Sequence, residues 1–304
     1  MAKRAYIGID LGGTTIQYGL LIAGQDKPIH CSSFHTEKGR LAILEQFAQI
    51  VTGLGVKARQ LGCRLAGAGV GSAGIVNPES GRIVGRSPNI PGWEGTEVKR
   101  ELEARTGVQT WVDNDANVMA LAEHRLGAGR GFSSGLYITV GTGIGSGIVL
   151  DGRLWRGAAF AGAEMGHMII AKEGRACGCG KRGCLEVYAS AGAFVRYYDK
   201  SLPQSSPVKE IFGRARQGDS VAQAAIHQAA GYLACGIGSV LELLNPEIVV
   251  IGGGISAGTG YLAEVRRCLP AYVTRPALQS VKLRKAKLGN RAGLIGAALL
   301  ASET

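Results

Sequence analysis

The sequence predicts an α/β fold made of two related halves. Strand-type and helix-type segments alternate along the chain, which is typical of α/β domains. A short glycine motif occurs once in each half, each time between two apolar runs. With 304 residues, 46% of them hydrophobic and 19% charged, the chain is long enough for two domains with substantial cores.

The elements follow from the apolar pattern. Short apolar runs predict strands and longer periodic patterns predict helices. Strands are expected at residues 5–11, 65–71, 108–112, 135–140 and 247–251, and helices at 40–62, 96–106, 116–127, 219–245 and 291–300. Thr96 is the expected N-cap of the second helix. The fourth helix is long and nearly uncharged, so we expect it to be buried or to lie at a subunit interface.

The repeated motif joins two of these strands to their successors. GTTIQYGLL (13–21) and GTGIGSGIV (141–149) share one pattern and lie 128 residues apart. Each predicts a strand, a tight glycine turn and a second strand, so the pair indicates an internal duplication. Glycine turns let backbone N–H groups approach a phosphate closely. A third glycine loop, IGGGIS (251–256), follows a strand and suits a nucleotide's base and ribose. Neither a Walker A motif nor a dinucleotide fingerprint fits any of the three loops.

Composition also limits the location and the partners. The run AYIGI ends at Asp10, and AGLIGAALLA near the C-terminus has only ten residues, too few for a membrane span. We therefore expect a soluble cytoplasmic chain without a membrane partner. The net charge is +11, but Lys and Arg are spread along the chain, with one modest run at 282–287. A generally basic surface without a specific nucleic-acid partner is the expectation.

Three cysteines and a histidine cluster between residues 167 and 186. Cys177, Cys179 and Cys184 follow the spacing C-x-C-x₄-C, with His167 ten residues upstream. They supply four ligands of the Cys₃His type, as a closed structural zinc site requires. A disulfide would leave one thiol over and suits reducing cytosol poorly. Zinc is the favoured interpretation, with redox chemistry and chance as the alternatives.

Five motifs then follow one another along the chain: DLGGTT (10–15), PNIPGW (88–93), NDAN (114–117), GAEMGH (162–167) and CGCGKRGCLEVYAS (177–190). In this order they resemble the ROK family of bacterial sugar kinases and repressors, and its glucokinases in particular. The resemblance implies an actin-like, hexokinase-type (ribonuclease H-like) fold, with two α/β domains around a cleft that holds ATP and sugar. The expected domains are 1–115 plus 291–304, and 116–290 with the zinc loop. The family's habit of forming oligomers implies a homodimer or a homotetramer.

The resemblance also implies roles for single residues. Asp115 is the expected general base, because an attacking sugar hydroxyl needs a carboxylate to accept its proton. Asp10 is expected to hold the Mg²⁺ of Mg-ATP through water. The expected sugar-binding residues are Asn89, Asn114, Asp115, Glu164, His167 and Glu186. The expected nucleotide-binding residues are Asp10, Gly12, Gly13, Thr14, Thr15, Gly141, Thr142, Gly143, Gly145, Gly253 and Gly254.

Each role has a simpler alternative. Asp115 fits equally well as the cap of a helix that starts at Ala116, and Asp10 as an ordinary turn residue. Thr15 stands where many relatives have lysine, which leaves ATP as the favoured rather than the established donor.

Three alternatives to a glucokinase remain at this point. A sugar-responsive ROK regulator would need a helix-turn-helix domain before the first strand, and Tyr6 already lies in that strand. An actin-like chaperone or filament ATPase would not need the sugar-binding motifs. Within the kinases, PNIPGW favours glucose over N-acetylglucosamine, N-acetylmannosamine, mannose or fructose.

Overall fold

Two five-stranded sheets organise the fold. The computed structural model describes residues 2–85, 87, 90–201, 207–258 and 260–303. The strands are β1 Arg4–Leu11, β2 Thr15–Ile22, β3 Ile29–His35, β4 Arg64–Ser72, β5 Val76–Asn77, β6 Arg82–Ile83, β7 Thr110–Asn114, β8 Gly135–Val140, β9 Ile144–Leu150, β10 Arg153–Trp155, β11 Ile248–Gly252 and β12 Lys282–Lys285. The helices are α1 Arg40–Gln60, α2 Val98–Thr106, α3 Asp115–Arg125, α4 Glu186–Ala189, α5 Ala191–Tyr198, α6 Val208–Arg216, α7 Ser220–Leu244, α8 Tyr261–Cys268, α9 Arg275–Ser280 and α10 Ala292–Ser302. Every predicted strand and helix is present, with ends shifted by a few residues.

The two sheets share one topology. The first has the strand order β3-β2-β1-β4-β7 and the second β10-β9-β8-β11-β12. Each sheet contains an antiparallel hairpin, β1–β2 or β8–β9. The first strand of the hairpin then pairs in parallel with a third strand, β4 or β11, which pairs in parallel with a fourth, β7 or β12. The glycine motif forms the turn of each hairpin, so the internal duplication predicted from the sequence is confirmed.

The chain divides into two compact units. Unit 1 contains Met1–Arg130, Leu154–Gly162 and Asn290–Thr304, and unit 2 contains Gly131–Arg153 and Ala163–Gly289. The boundary expected between residues 115 and 116 falls at the start of α3. The structure places the whole of α3 in unit 1, because this helix packs against α10, β4 and β7.

Glycines bring helix α10 unusually close to the first sheet. A Cβ atom at Gly8 of β1 would overlap the carbonyl oxygen of Leu294, and one at Gly69 of β4 would overlap that of Ala297. The helix is built from small and aliphatic residues and is almost entirely buried. Its backbone therefore lies directly on the sheet, where ordinary side chains would hold it further away. On the same unit, Phe47 packs edge-on against Trp93 with ring centroids 6.2 Å apart.

Unit 2 has a core built around α7. Ala225, Ala229, Leu233 and Ile237 are buried on one face of this helix, as the sequence predicts for a nearly uncharged helix. Among the described residues, α7 alone has the length and composition of a membrane span, and 56% of its most apolar window is buried inside the protein. Core helices of soluble proteins meet the same criteria.

One predicted cap is wrong. Helix α2 starts at Val98 with Glu97 as its N-cap, two residues later than expected. The Thr96 hydroxyl is buried and donates a 2.6 Å hydrogen bond to the carbonyl oxygen of Trp93. The turn that carries Trp93 therefore uses the hydroxyl that the sequence assigned to the helix.

Candidate active site

The β1–β2 turn of unit 1 is a tight, preformed loop. The Gly12 N–H donates to the carbonyl oxygen of Thr15 at 3.0 Å. Thr36, which is buried, donates its hydroxyl to the Gly12 carbonyl at 2.8 Å and its N–H to the Thr14 carbonyl at 3.0 Å. Gly13 and the two threonines of the turn are exposed. Thr36, which directly follows β3, was not predicted from the sequence as a residue that closes this turn.

Two carboxylates, Asp10 and Asp115, lie close together beside this turn. A Cβ atom at Gly71 of β4 would stand 3.7 Å from Asp10 Oδ1 and 3.7 Å from the Cα of Asp115. A Cβ at Gly293 would overlap the Asp10 carboxylate itself. Burial, and then the negative charge of Asp115, raise the pKa of Asp10 from 3.8 to about 7. A carboxylate in a place lined by glycine suits a divalent cation, which would offset the burial of Asp10 and the charge of Asp115.

Asn114, and not Asp115, is the cap of α3. Its Oδ1 accepts hydrogen bonds from the N–H groups of Ala116 at 2.8 Å and Asn117 at 3.2 Å. Its Nδ2 donates to the Gly74 carbonyl at 3.0 Å, which leaves one amide hydrogen for a ligand. The helix begins at Asp115, one residue earlier than predicted. The capping alternative for Asp115 is therefore wrong, because the extended backbone of Asn114 puts that side chain in the capping position.

In unit 2, Glu186 holds the β8–β9 turn. Its Oε2 accepts the N–H of Ile144 at 2.9 Å, and a Cβ on Gly143 would stand only 2.5 Å from the same oxygen. The turn is closed further by a 2.9 Å bond from the Gly141 N–H to the Gly143 carbonyl and a 2.8 Å bond from the Ala191 N–H to the Gly141 carbonyl. A residue predicted to bind sugar thus contacts a loop predicted to bind phosphate.

Glu164 projects from a strained turn that Ser146 fixes. Ala163 has a φ of 64°, which is uncommon for a residue with a side chain. The Ser146 hydroxyl of β9 donates to the Ala163 carbonyl and accepts the Met165 N–H at 3.1 Å. Both bonds come from one buried hydroxyl. Ser146 was not predicted as a site residue, because its place inside the glycine repeat is typical of an ordinary strand residue.

Two of the predicted sugar-binding residues of unit 2, His167 and Glu186, lie on either side of the Cys177 thiol, whose Sγ is 3.8 Å from His167 Nδ1 and 4.0 Å from Glu186 Oε1. Glu164 lies near both. Burial raises the pKa of Glu164, and the charge of His167 lowers it. Glu186 raises it again and Lys181 lowers it. Glu164, His167 and Glu186 therefore lie close enough to affect one another. Unit 1 holds the remaining described members of the set, Asn114 and Asp115. Asn89 lies outside the described residues.

The four predicted zinc ligands come together in unit 2. The donor atoms of His167, Cys177, Cys179 and Cys184 all lie within 4.8 Å of one another. Cys177 Sγ is 3.8 Å from His167 Nδ1, and Cys179 Sγ is 3.6 Å from Cys184 Sγ. Donors around a tetrahedral zinc ion are about 3.5–3.8 Å apart, given Zn–S bonds of about 2.3 Å. The donor set and its spacing fit zinc.

The thiols of this cluster have shifted pKa values. Burial raises the pKa of Cys177, and burial together with the neighbouring thiols raises that of Cys184 to about 12. For Cys179, partial burial raises the pKa, but hydrogen bonds from the Lys181 N–H and the other two thiols lower it overall. A metal would replace the protons of the two buried thiols, so binding would release them.

A second group of His227, Glu264 and Cys268 also has metal-type donors within 4.8 Å of one another. Arg267 occupies its centre: one guanidinium nitrogen lies 2.6 Å from His227 Nδ1 and 2.6 Å from Glu264 Oε1. These bonds lower the pKa of Glu264. In this group the charge of Glu264 is already compensated by its ion pair with Arg267 at the surface.

A cavity of about 550 Å³ lies beside the β8–β9 turn within unit 2. The Gly253 backbone, with φ 84°, passes so close to Val140 that a Cβ would overlap its carbonyl oxygen. The lining residues are Gly141, Thr142, Ala191, Pro207, Val208, Lys209, Phe212, Arg216, Gly254, Ile255 and Gly258. The sequence predicted Gly141, Thr142 and Gly254 of this lining, but not Gly258 or the residues of α6. The spacing of Lys209, Phe212 and Arg216 places them on one helical face, a signal that was available in the sequence.

Residues 6–304 match the model of the ROK family. The chain belongs to the ROK family. It is 35% identical to a glucokinase of Thermotoga maritima, covering 100% of this chain and 99% of that protein. It is 30% identical to an N-acetyl-D-glucosamine kinase of Salmonella paratyphi B, covering 97% of this chain and 98% of that protein. The crystal structure of a ROK family glucokinase from Streptomyces griseus, in complex with glucose and AMPPNP, matches with a TM-score of 0.84 and 31% identity over 99% of this chain and 100% of that chain.

These similarities confirm three predictions: the family, the actin-like fold class, and the class of enzyme, an ATP-dependent hexose kinase. The ROK chain thus carries the duplicated α/β core of its family. Its relatives include kinases named for two different sugars, glucose and N-acetyl-D-glucosamine.

Proposed function

We propose that this ROK kinase transfers the γ-phosphate of Mg-ATP to the 6-hydroxyl of a hexose, and that glucose is its preferred sugar. The observation that carries the proposal is the position of Asp115. Asn114 is the N-cap of α3, and Asp115 is the first residue of the helix, where its Oδ1 accepts the Ala116 N–H at 2.8 Å. Its negative charge acts on Asp10. Two neighbouring carboxylates of this kind can divide the roles of base and metal partner. The glucokinases among the relatives support glucose as the substrate.

In the proposed mechanism, Asp115 accepts the proton of the 6-hydroxyl as that oxygen attacks the γ-phosphorus. A new O–P bond forms, the bond from the γ-phosphorus to the bridging oxygen breaks, and ADP leaves with its electron pair. Asp10 is the residue that would hold Mg²⁺ through water. Burial, and then the negative charge of Asp115, raise its pKa, and a bound cation would offset both effects. When bound, Mg²⁺ neutralises phosphate charge.

The remaining polar residues are proposed to orient the sugar. Asn114 keeps one amide hydrogen for a hydroxyl, and Glu164 and Glu186 offer carboxylate oxygens. His167 is proposed to bind zinc through Nδ1, which faces Cys177, and to present Nε2 to the sugar. Asn89 completes the proposed set. Structural zinc would fix the loop that carries these groups, much as hydrogen bonds to a ligand fix its orientation in other metal sites.

The nucleotide is proposed to use the glycine loops. The β1–β2 turn (Gly12, Gly13, Thr14, Thr15) and the β8–β9 turn (Gly141, Thr142, Gly143, Gly145) would receive phosphates. The cavity bounded by Gly254 and α6, next to Gly253, would receive the base and ribose. Phe212 offers a flat apolar surface there, and Lys209 and Arg216 offer positive charge for an anionic ligand. Thr15 is exposed and uncharged, whereas many relatives have lysine there. We therefore propose ATP as the phosphoryl donor without a charged side chain at this position.

N-acetylhexosamine kinase is the second candidate function, because a relative with 30% identity is named N-acetyl-D-glucosamine kinase. A coupled assay that measures ADP release separates the two, with Mg-ATP and a panel of glucose, mannose, fructose, N-acetylglucosamine and N-acetylmannosamine. We expect the highest kcat/KM for glucose. A higher value for an N-acetylated sugar would replace glucose but keep the reaction. Sugar-independent ATP consumption would contradict the proposed reaction itself.

The proposal includes assembly and location. We propose a homodimer or homotetramer, which light scattering on the purified protein tests directly. We also propose a cytoplasmic location, since a cluster of free thiols that binds zinc persists in a reducing compartment.

A further inference from the structure

A buried ion pair lies directly before the proposed base. Asp113, at the end of β7, is only 1% exposed. Its Oδ2 accepts two hydrogen bonds from Arg156, from Nε at 2.7 Å and from Nη2 at 2.7 Å. Its Oδ1 accepts the Asn114 N–H at 2.7 Å and the Asn117 side-chain amide at 2.9 Å. The carboxylate thus has four donors, and two of them belong to the first turn of α3 and its cap.

This arrangement fixes where α3 begins. Asn114 and Asn117 are both tied to one carboxylate, and Asp115 lies between them in the chain. A buried carboxylate keeps its charge and its geometry only while a cation compensates it. Within the described part of unit 1, the guanidinium of Arg156 supplies this cation to Asp113.

Arg156 is itself held in a closed loop. It belongs to the segment Leu154–Gly162, which is part of unit 1. The Gly162 N–H returns to the Arg156 carbonyl at 2.8 Å, and a Cβ at Gly162 would stand 2.7 Å from the Trp155 ring. Gly157 and Phe160 both have positive φ values, 72° and 60°. The next residues along the chain are Ala163 and Glu164, so the segment leads from the anchor of the base to a sugar-binding carboxylate.

We propose that Arg156 is a positioning residue, which acts through Asp113 to hold Asp115 and Asn114 in place for phosphoryl transfer. The proposal rests on the role of Asp115 proposed above. Arg156 does not need to touch the substrate for this role. Loss of its charge would leave Asp113 buried and uncompensated, and the start of α3 would shift or loosen.

The test compares Arg156→Met, Arg156→Lys, Asp113→Asn and the double variant Arg156→Met/Asp113→Asn. Partners that orient an active group typically contribute about 10–100-fold to activity. We expect Arg156→Met to lower kcat by about that factor while KM for ATP changes less than about twofold. Lysine keeps the charge but cannot place two fixed N–H donors on Oδ2 as a guanidinium does, so Arg156→Lys should recover part of kcat. The double variant should exceed Arg156→Met in kcat by at least about fivefold, because it removes both charges together.

Arg130→Met is the matched control, since Arg130 is exposed and 3.6 Å from an exposed Asp26. It should keep normal kcat. An Arg156→Met protein with a lowered melting temperature but unchanged kcat would overturn the proposal and leave a purely structural ion pair. A double variant no better than Arg156→Met would overturn it too.

Amide exchange separates this proposal from the proposed reaction. Residues 114–117 should exchange at least about tenfold faster in Arg156→Met, whether or not the protein turns over sugar. If the unmodified protein shows no sugar-dependent ATP consumption, the proposed function fails, and exchange alone decides the positioning role. Unchanged exchange at 114–117 would overturn that role.

Discussion

The two hairpins are copies of one design that the protein holds in different ways. Their turns, at Gly13 and Gly141, lie 128 residues apart and occupy the same place in sheets of the same strand order. In unit 1, β1 lies against helix α10, whose backbone reaches the sheet at Gly8 and Gly69. In unit 2, the corresponding turn is held by the side chain of Glu186.

The two copies also differ in the residues at equivalent positions of their first strands. Asp10 of the first copy corresponds to Ile138 of the second, and Gly8 corresponds to Leu136. The first copy therefore has a carboxylate and a glycine that lets the backbone of α10 contact the sheet. The second copy has apolar core residues at both positions. The second copy obtains its polar groups from outside the repeat, on the loop that carries the four metal-type ligands. In the proposed mechanism, unit 1 therefore supplies the base Asp115 and its neighbour Asp10, and unit 2 supplies sugar-binding groups on the loop with the four metal-type ligands.

The largest expected effect concerns Asp115, the proposed base in unit 1. Asp115→Asn keeps the hydrogen-bond acceptor but cannot take up the proton, and general base catalysis contributes about 10²–10⁴-fold. We expect kcat to fall by at least that range, with a normal melting temperature because Asn114 is the cap. Near-normal kcat in a stably folded variant would remove the base assignment.

The next effect concerns the metal loop of unit 2. Cys179→Ser should lower the zinc content from about one per chain and raise KM for glucose by about 10–100-fold, since the loop carries the proposed sugar-binding groups. Elemental analysis and steady-state kinetics measure both. Cys235→Ser, outside the cluster, is the control and should change neither. A metal-free unmodified protein would contradict the zinc proposal.

The glycine contact of unit 1 should be sensitive to a single methyl group. Gly69→Ala places a Cβ against the Ala297 carbonyl and should lower the free energy of unfolding by about 1–3 kcal/mol. The control is Gly53→Ala on the exposed side of α1, where nothing lies within 4 Å of the new Cβ. That change should raise stability by about 0.5–1 kcal/mol. Equal effects of the two substitutions in denaturant unfolding would show that α10 does not depend on close contact.

The smallest effect distinguishes Asp10 from its apolar counterpart. Since the folded pKa of Asp10 is raised from 3.8 to about 7, the folded state binds this proton more tightly than the unfolded state. Stability from this group is therefore lost as pH rises from about 4 to about 7. Asp10→Asn removes that loss, and its stability advantage should be about 2 kcal/mol larger at pH 8 than at pH 5. A stability advantage of Asp10→Asn that does not change with pH would show that the pKa of Asp10 is not raised in the folded protein. Activity should fall at both pH values.

Local patterns in the sequence predicted the strands, the helices, the repeat and the four metal-type ligands, because each depends on residues close together in the chain. Contacts between distant segments were not predictable in this way. Glu186 reaches Ile144 across 42 residues, and Arg156 reaches Asp113 across 43. The sequence also could not decide whether Asn114 or Asp115 is the N-cap of α3. Both residue types cap helices well, and only the backbone angles of Asn114 decide between them.

Hydrogen exchange with and without a zinc chelator tests the central claim, that the two hairpins are held by different means. We predict that loss of the proposed zinc speeds exchange in unit 2 by about tenfold or more, at residues 141–145 and 165–186. Exchange at 12–15 and 292–302 of unit 1 should stay unchanged, because that hairpin depends on α10 and not on the cysteine cluster. Equal acceleration in both hairpins, or none in unit 2, would contradict the account.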